Sequence, residues 1–289
     1  MSVAQSIKNY ASLVKFSHTI FAMPFALIGF SLGVHHHPNF FAWSKLLFVI
    51  LCMITARNAA MAFNRWLDAH YDAQNKRTAV REIPSGIINE KNALWFVIVN
   101  CVLFCGSAYL LQPICFYLSP IALFVILFYS YTKRFTALCH LVLGLGLSLA
   151  PIGAYLAVTG QFHALPIVFG CAVLTWVAGF DIVYALQDQE FDKSLQLNSI
   201  PVWLGTKGAI IASIILHVFT AAFIIYAGSI GQFGFWYWIG ATLFIGLLIY
   251  QHLLVKPNDL SKINLAFFTT NGVGSVTFCI FVIASIFIK

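Results

Sequence analysis

The chain has 289 residues, of which 61% are hydrophobic and only 9% charged. A water-soluble domain carries roughly 25% charged residues because its surface must face water, so a soluble fold is excluded and the bilayer is the natural solvent. The net charge of +7 would suit a nucleic-acid binder, but its placement along the chain argues for membrane topology instead.

At roughly 20 apolar residues per crossing, the apolar runs predict about nine transmembrane helices. They lie near 16–34, 44–64, 92–112, 115–132, 137–158, 164–186, 208–228, 234–254 and 263–287. The expected fold is an all-α integral membrane protein with one polytopic domain over 1–289. The first run is long enough to span rather than be removed as a signal peptide. With the N-terminus in the cytoplasm, the cytoplasmic segments collect Lys8, Lys15, Arg65, Lys76, Arg77, Arg81, Lys91, Lys133, Arg134, Lys193, Lys207, Lys256 and Lys262. The other side receives only Lys45 and Lys289. That asymmetry fits the positive-inside rule and predicts a cytoplasmic N-terminus; the expected location is a bacterial inner membrane.

After the first predicted span comes His35-His36-His37, read as an exposed loop on the far side with incidental metal affinity. Inside the second span lies Arg57, seven residues before Asn64 and about 10 Å deeper along a helix. A buried cation there can hold the anionic end of a substrate, such as an aromatic carboxylate. The seven cysteines fall in or beside apolar runs with no CxxC pair, which points to neither a disulfide framework nor a zinc site.

The acids carry the most information. Of nine, Asp68, Asp72, Glu82 and Glu90 follow the second span, and Asp181, Asp188, Glu190 and Asp192 end the sixth; Asp259 stands apart. Asn64, Asp68 and Asp72 are spaced at i, i+4 and i+8 and share one face of a helix. Asp188 and Asp192 repeat the spacing. Like charges at i, i+4 destabilise a helix unless a cation sits between them, and oxygen-only ligands favour Mg²⁺ over zinc. Asp181 continues the apolar run 173–180, where an ionisable group is costly and usually functional. Basic residues match these acids. Arg77 and Arg81 follow the first cluster and Lys133 and Arg134 end the fourth span; arginine forks and lysine point charges both suit phosphate oxygens. Carboxylates, Mg²⁺ and bases together make a diphosphate site. A lone His such as His18 or His70 is read as a satisfied polar residue.

These residues resemble the UbiA family of membrane-embedded prenyltransferases. The pattern N-D-x-x-D-x-x-x-D appears as Asn64, Asp68 and Asp72, with Arg65 where the family often has Asp. R-T-x-x-R-x-(I/L)-P-(S/A)-G appears as Arg77-Thr78, then Arg81-Glu82-Ile83-Pro84-Ser85-Gly86. Lys133-Arg134 follow, then Asp181, Tyr184-Ala185, Asp188 and Asp192 as D-x-x-Y-A-x-x-D-x-x-x-D. Ala150-Pro151-Ile152-Gly153-Ala154 and Val158-Thr159-Gly160 add to the likeness. The closest branch is the 4-hydroxybenzoate polyprenyltransferase-like one, with relatives in the futalosine route to menaquinone.

The resemblance implies nine helices around a central cavity with its mouth at the cytoplasmic face. It implies a polyprenyl diphosphate, a small aromatic acceptor and Mg²⁺ as reaction partners, and no nucleic acid. The expected reaction is electrophilic aromatic substitution. Asn64, Asp68, Asp72, Asp188 and Asp192 would hold metal. Arg77, Arg81, Lys133 and Arg134 would bind diphosphate. Asp181, Tyr184 and Arg57 would serve the acceptor. A transporter and a non-catalytic scaffold are the competing classes.

Overall fold

A computed structural model describes residues 3–14 and 21–288. It is 81% helical and has no strands among the described residues. The helices in chain order are α1 Val3–Leu13, α2 Met23–His36, α3 Trp43–Leu67, α4 Ala69–Gln74, α5 Glu90–Tyr109 and α6 Pro113–Thr132. They continue with α7 Cys139–Thr159, α8 Ala164–Ala185, α9 Gln189–Ser194, α10 Ile200–Ile230, α11 Phe235–Leu254 and α12 Asn271–Phe287, the last entered through a π-helical turn at Leu265–Thr270.

Among the described residues eight helices are long and apolar enough to cross a membrane. The first expected crossing falls partly on residues outside the description; of it, α2 covers Met23–His36. His18 and Lys15 also lie outside the described residues. Local signals set the ends. Asn89 Oδ1 accepts from Lys91 N at 2.8 Å and caps α5. Ser199 caps α10, with Pro201 in the first turn, where a missing N–H costs nothing. Gly160, at φ +70°, closes α7 in the left-handed conformation that glycine adopts without strain.

Of these spans α8 is the most buried and α6 the least. α8 packs between α7 and α10. Trp176 of α8 sits fully buried among Phe25, Phe180 and Phe244, and its indole N–H donates to Asn271 Oδ1 at 2.8 Å, as a buried Trp requires. On the outside the bundle shows large apolar side chains such as Phe124, Val218 and Ile249. Hydrocarbon is the solvent for such a surface.

Three sequence expectations change in detail. The helix carrying the first acidic motif is interrupted at Asp68, whose φ −94° and ψ 6° separate α3 from α4. Asp188 ends a 3-10 turn, Leu186–Asp188, rather than continuing α8. His35 and His36 belong to the last turn of α2 instead of a loop, and His36 Nδ1 lies 2.9 Å from Tyr155 OH.

Candidate active site

Three helix interruptions meet at one end of the bundle: α3 gives way to α4, α6 to α7, and α8 to α9. Between them lies a cavity of about 220 Å³. Ten of the twelve residues singled out from the sequence line it: Asn64, Asp68, Asp72, Arg77, Arg81, Lys133, Asp181, Tyr184, Asp188 and Asp192. Arg57 and Arg134 do not. The kinks explain the convergence, because a helix that stops at the interface turns its terminal side chains across the mouth instead of along its own axis.

Of the five aspartates lining the cavity, every one but Asp192 is matched by a base. Arg77 spans the cavity from the 75–89 segment to Asp188, with Nε 3.1 Å from Oδ1 and Nη2 bonded to Oδ2. Arg81 Nη1 donates to both oxygens of Asp72 at 2.6 and 2.7 Å. Asp68, 3% exposed, receives Asn64 Nδ2 at 3.2 Å, Lys133 Nζ at 3.4 Å and Arg134 Nη2 at 3.4 Å. Buried carboxylates are tolerable only when paired and hydrogen-bonded in this way. Burial works against the charge on Arg77, yet the hydrogen bond and charge of Asp188 outweigh it and its pKa is raised. Lys133 behaves alike: burial lowers its pKa, Asp68 and Asp192 raise it, and the net shift is upward.

Arg134 turns away from the cavity. Its Nη2 holds Leu67 O at 3.0 Å, a carbonyl freed by the break in α3, and its guanidinium lies 5.4 Å from the ring centres of Tyr71 and Tyr131. Its contacts therefore shape the acidic turn. Arg57 lies deeper in α3, and its Nε is buried with no hydrogen-bond partner among the described residues. Tyr129, which lines the cavity, lies within electrostatic reach of Arg57, Arg65, Asp68 and Asp181. Arg65, 5% exposed, likewise has Nε and Nη1 buried without a partner.

The donor set fits a hard dication. Asn64 and the four aspartates of the two motifs offer oxygen alone, as Mg²⁺ prefers. Asp192 is 8% exposed, lines the cavity and has neither an ion pair nor a side-chain hydrogen bond among the described residues. Among the described residues no three His, Cys, Asp or Glu side chains are gathered into a ready cage, because the bases draw the carboxylates apart. A metal would have to exchange with Arg and Lys for these oxygens.

Sequence reasoning missed His140 and Asn75. His140, 3% exposed, lines the cavity with Nδ1 2.7 Å from Asp181 Oδ2. Its signal was available: an ionisable side chain inside the apolar run 137–158 asks for a partner. Asn75 Nδ2 reaches Asp188 Oδ1 at 3.4 Å while its Oδ1 accepts from Arg77 N at 2.9 Å. An Asn after a helix is ordinary turn chemistry, and nothing in the spacing marked it.

An all-helical membrane bundle with acids and bases interleaved at one mouth defines a class of membrane enzyme, and the chain belongs to the UbiA prenyltransferase family, whose model matches residues 22–273. It is a membrane-embedded prenyltransferase. The 4-hydroxybenzoate octaprenyltransferase of Nitrosomonas europaea is 30% identical over 236 residues, 81% of this chain and 80% of its own. That of Francisella tularensis subsp. mediasiatica is 28% identical and covers 96% of this chain and 98% of its own. Among solved structures, the apo form of a UbiA homolog from Aeropyrum pernix K1 is 30% identical, with a TM-score of 0.80 over 93% of this chain and 96% of that one. A UbiA homolog from Archaeoglobus fulgidus bound to DMAPP and Mg²⁺ shares the fold, at 21% identity and a TM-score of 0.75 over 97% of this chain and all of that one.

Proposed function

We propose that the protein transfers a polyprenyl group from its diphosphate to a small aromatic acid, 4-hydroxybenzoate foremost, in respiratory quinone biosynthesis. The observation that carries this reading is the convergence of Asp68, Asp72, Asp188 and Asp192 with Arg77, Arg81 and Lys133 around one cavity. Relatives named 4-hydroxybenzoate octaprenyltransferase support the acceptor, and a structural neighbour holding DMAPP and Mg²⁺ supports the donor.

In this reading Asn64, Asp68, Asp72, Asp188 and Asp192 hold Mg²⁺, which when bound neutralises charge on the departing diphosphate. Arg77, Arg81 and Lys133 release their aspartates and turn to the phosphate oxygens. The allylic C–O bond breaks with its electron pair leaving on the diphosphate. The apolar bundle keeps water from the allylic cation. A ring carbon of the acceptor attacks, a C–C bond forms, and the ring proton leaves as aromaticity returns. Asp181 orients the acceptor and takes its proton, with Tyr184 beside it. Arg57, whose buried Nε has no hydrogen-bond partner among the described residues, meets the acceptor's carboxylate. The excess of positive charge in the loops of one side supports a cytoplasmic N-terminus and cavity mouth, within one polytopic domain.

The test is a transfer assay in membranes with 4-hydroxybenzoate, a polyprenyl diphosphate and Mg²⁺, with and without EDTA. An EDTA-sensitive prenylated benzoate supports the reading. Mg²⁺-dependent diphosphate release only with another aromatic keeps the mechanism and moves the acceptor, for example to the futalosine route. No diphosphate chemistry with any acceptor sinks it in favour of transport.

A further inference from the structure

We propose that His140 is a positioning residue: it fixes Asp181 as a correctly turned proton acceptor facing the cavity. The proposal rests on the reading that Asp181 receives a proton from the acceptor, and it adds the residue through which that aspartate is set.

His140 opens α7 and is 3% exposed. Both of its ring nitrogens are engaged by different helices. Nδ1 lies 2.7 Å from Asp181 Oδ2 on α8, and Nε2 lies 3.4 Å from the backbone N of Ile200, the first residue of α10. A backbone N–H can only donate, so Nε2 is the acceptor and the imidazole proton sits on Nδ1. The N–H therefore points at Asp181. That hydrogen bond locks the carboxylate's rotation and sets which oxygen faces the cavity.

The surroundings hold the ring in place. Asn198 N donates to Lys133 O at 2.6 Å, and Cys139 Sγ to Asn198 O at 3.7 Å. These bonds stitch the turn before α10 to the α6–α7 junction, so Ile200 N is carried to His140 by fixed backbone. Asp181 keeps a 25% exposed side chain on the cavity side. One oxygen is thus committed to His140 and the other remains for substrate. The proton leaving the acceptor passes to that free oxygen; His140 itself neither gains nor loses a proton. The other titratable groups facing the pair are Tyr129 of α6, Cys139 of α7 and Asp192 of α9.

A satisfied structural histidine would also be buried and bonded, so the experiment must separate the two roles. Membranes carrying wild type, His140→Leu, His140→Asn, Asp181→Asn and the double variant His140→Leu/Asp181→Asn are assayed with a polyprenyl diphosphate and 4-hydroxybenzoate. His140→Leu is expected to lower kcat on the order of 10²-fold, with KM for the prenyl diphosphate held within about twofold. His140→Asn, whose amide N–H falls near the position of Nδ1–H, stays within about tenfold of wild type. In the Asp181→Asn background, His140→Leu adds less than about threefold, since one route is already lost.

Equal loss in His140→Leu and His140→Asn at matched abundance and thermal stability overturns the proposal, as does a full multiplicative effect in the double variant. If His140→Leu fails to reach the membrane, His140→Gln, which displaces the N–H toward Nε2, takes its place in the same comparison. An inactive Asp181→Asn beside a fully active His140→Leu overturns this inference alone. A fully active Asp181→Asn overturns the underlying role of Asp181 and this inference with it.

Discussion

Asp68 holds Asn64, Lys133 and Arg134 to one carboxylate that is almost wholly shielded from water. Asp68→Asn keeps the shape and removes the charge. In the transfer assay it is expected to lose on the order of 10²–10³-fold in kcat while the protein still accumulates in membranes, and wild-type activity would sink the metal role. Arg77 offers a different test because its fork grips both oxygens of Asp188. Arg77→Lys keeps the charge but not the fork, so KM for the prenyl diphosphate should rise about tenfold with kcat less affected. At this scale the sequence was most informative where charge is rare. Nine acids in an apolar chain leave few positions to consider, and ten of the twelve chosen residues line the cavity. His140 and Asn75 escaped because a single His or Asn has no spacing partner to give it away. The orientation of Arg134 escaped because it depends on which carbonyl the break in α3 sets free.

Helices fit together here through close backbone approaches. A Cβ on Gly29 would stand 2.1 Å from Pro151 O, and one on Gly144 would stand 2.3 Å from Leu174 O. Small residues permit such contact between α2 and α7 and between α7 and α8. Gly29→Ala and Gly144→Ala should each cost about 1–3 kcal/mol and lower the unfolding temperature in detergent. Gly153, on the same helix α7, has nothing within 4 Å of its Cβ position, and Gly153→Ala should leave that temperature unchanged or raise it. Equal behaviour of all three would show that these approaches do not limit stability. The apolar runs gave away the cores of the long helices but not their joints. The predicted span 208–228 begins beyond the bend at Gly205, whose φ of +69° lies in the left-handed region, while the helix itself starts at the Ser199 cap. The π-helical turn before α12 leaves no mark in hydrophobic pattern, since it changes hydrogen-bond register and not composition.

Taken whole, the molecule is an apolar bundle with nearly all its ionic chemistry at one end. Among the described residues eight spans match eight of the predicted runs, since hydrocarbon thickness fixes how long a run must be; the expected orientation rests on the charge asymmetry of the loops. The mouth has a further property. Asp68, Asp72 and Asp188 are already held by Lys133, Arg134, Arg81 and Arg77, and Asp181 and Asp192 add further carboxylates to the lining, so the resting site is no bare positive well. A ligand whose own phosphate charge is offset by dications enters such a site by swapping partners, ion pair for ion pair, and not by filling an electrostatic well. Ion exchange of this kind has little long-range pull for salt to screen. KM for the prenyl diphosphate at saturating Mg²⁺ should then change by less than about threefold between roughly 50 and 300 mM KCl; a steep rise would mean the mouth attracts its substrate as a bare positive funnel. The paired mouth also makes affinity a matter of geometry: what discriminates one diphosphate from another is whether its oxygens can take over the positions that the aspartates give up.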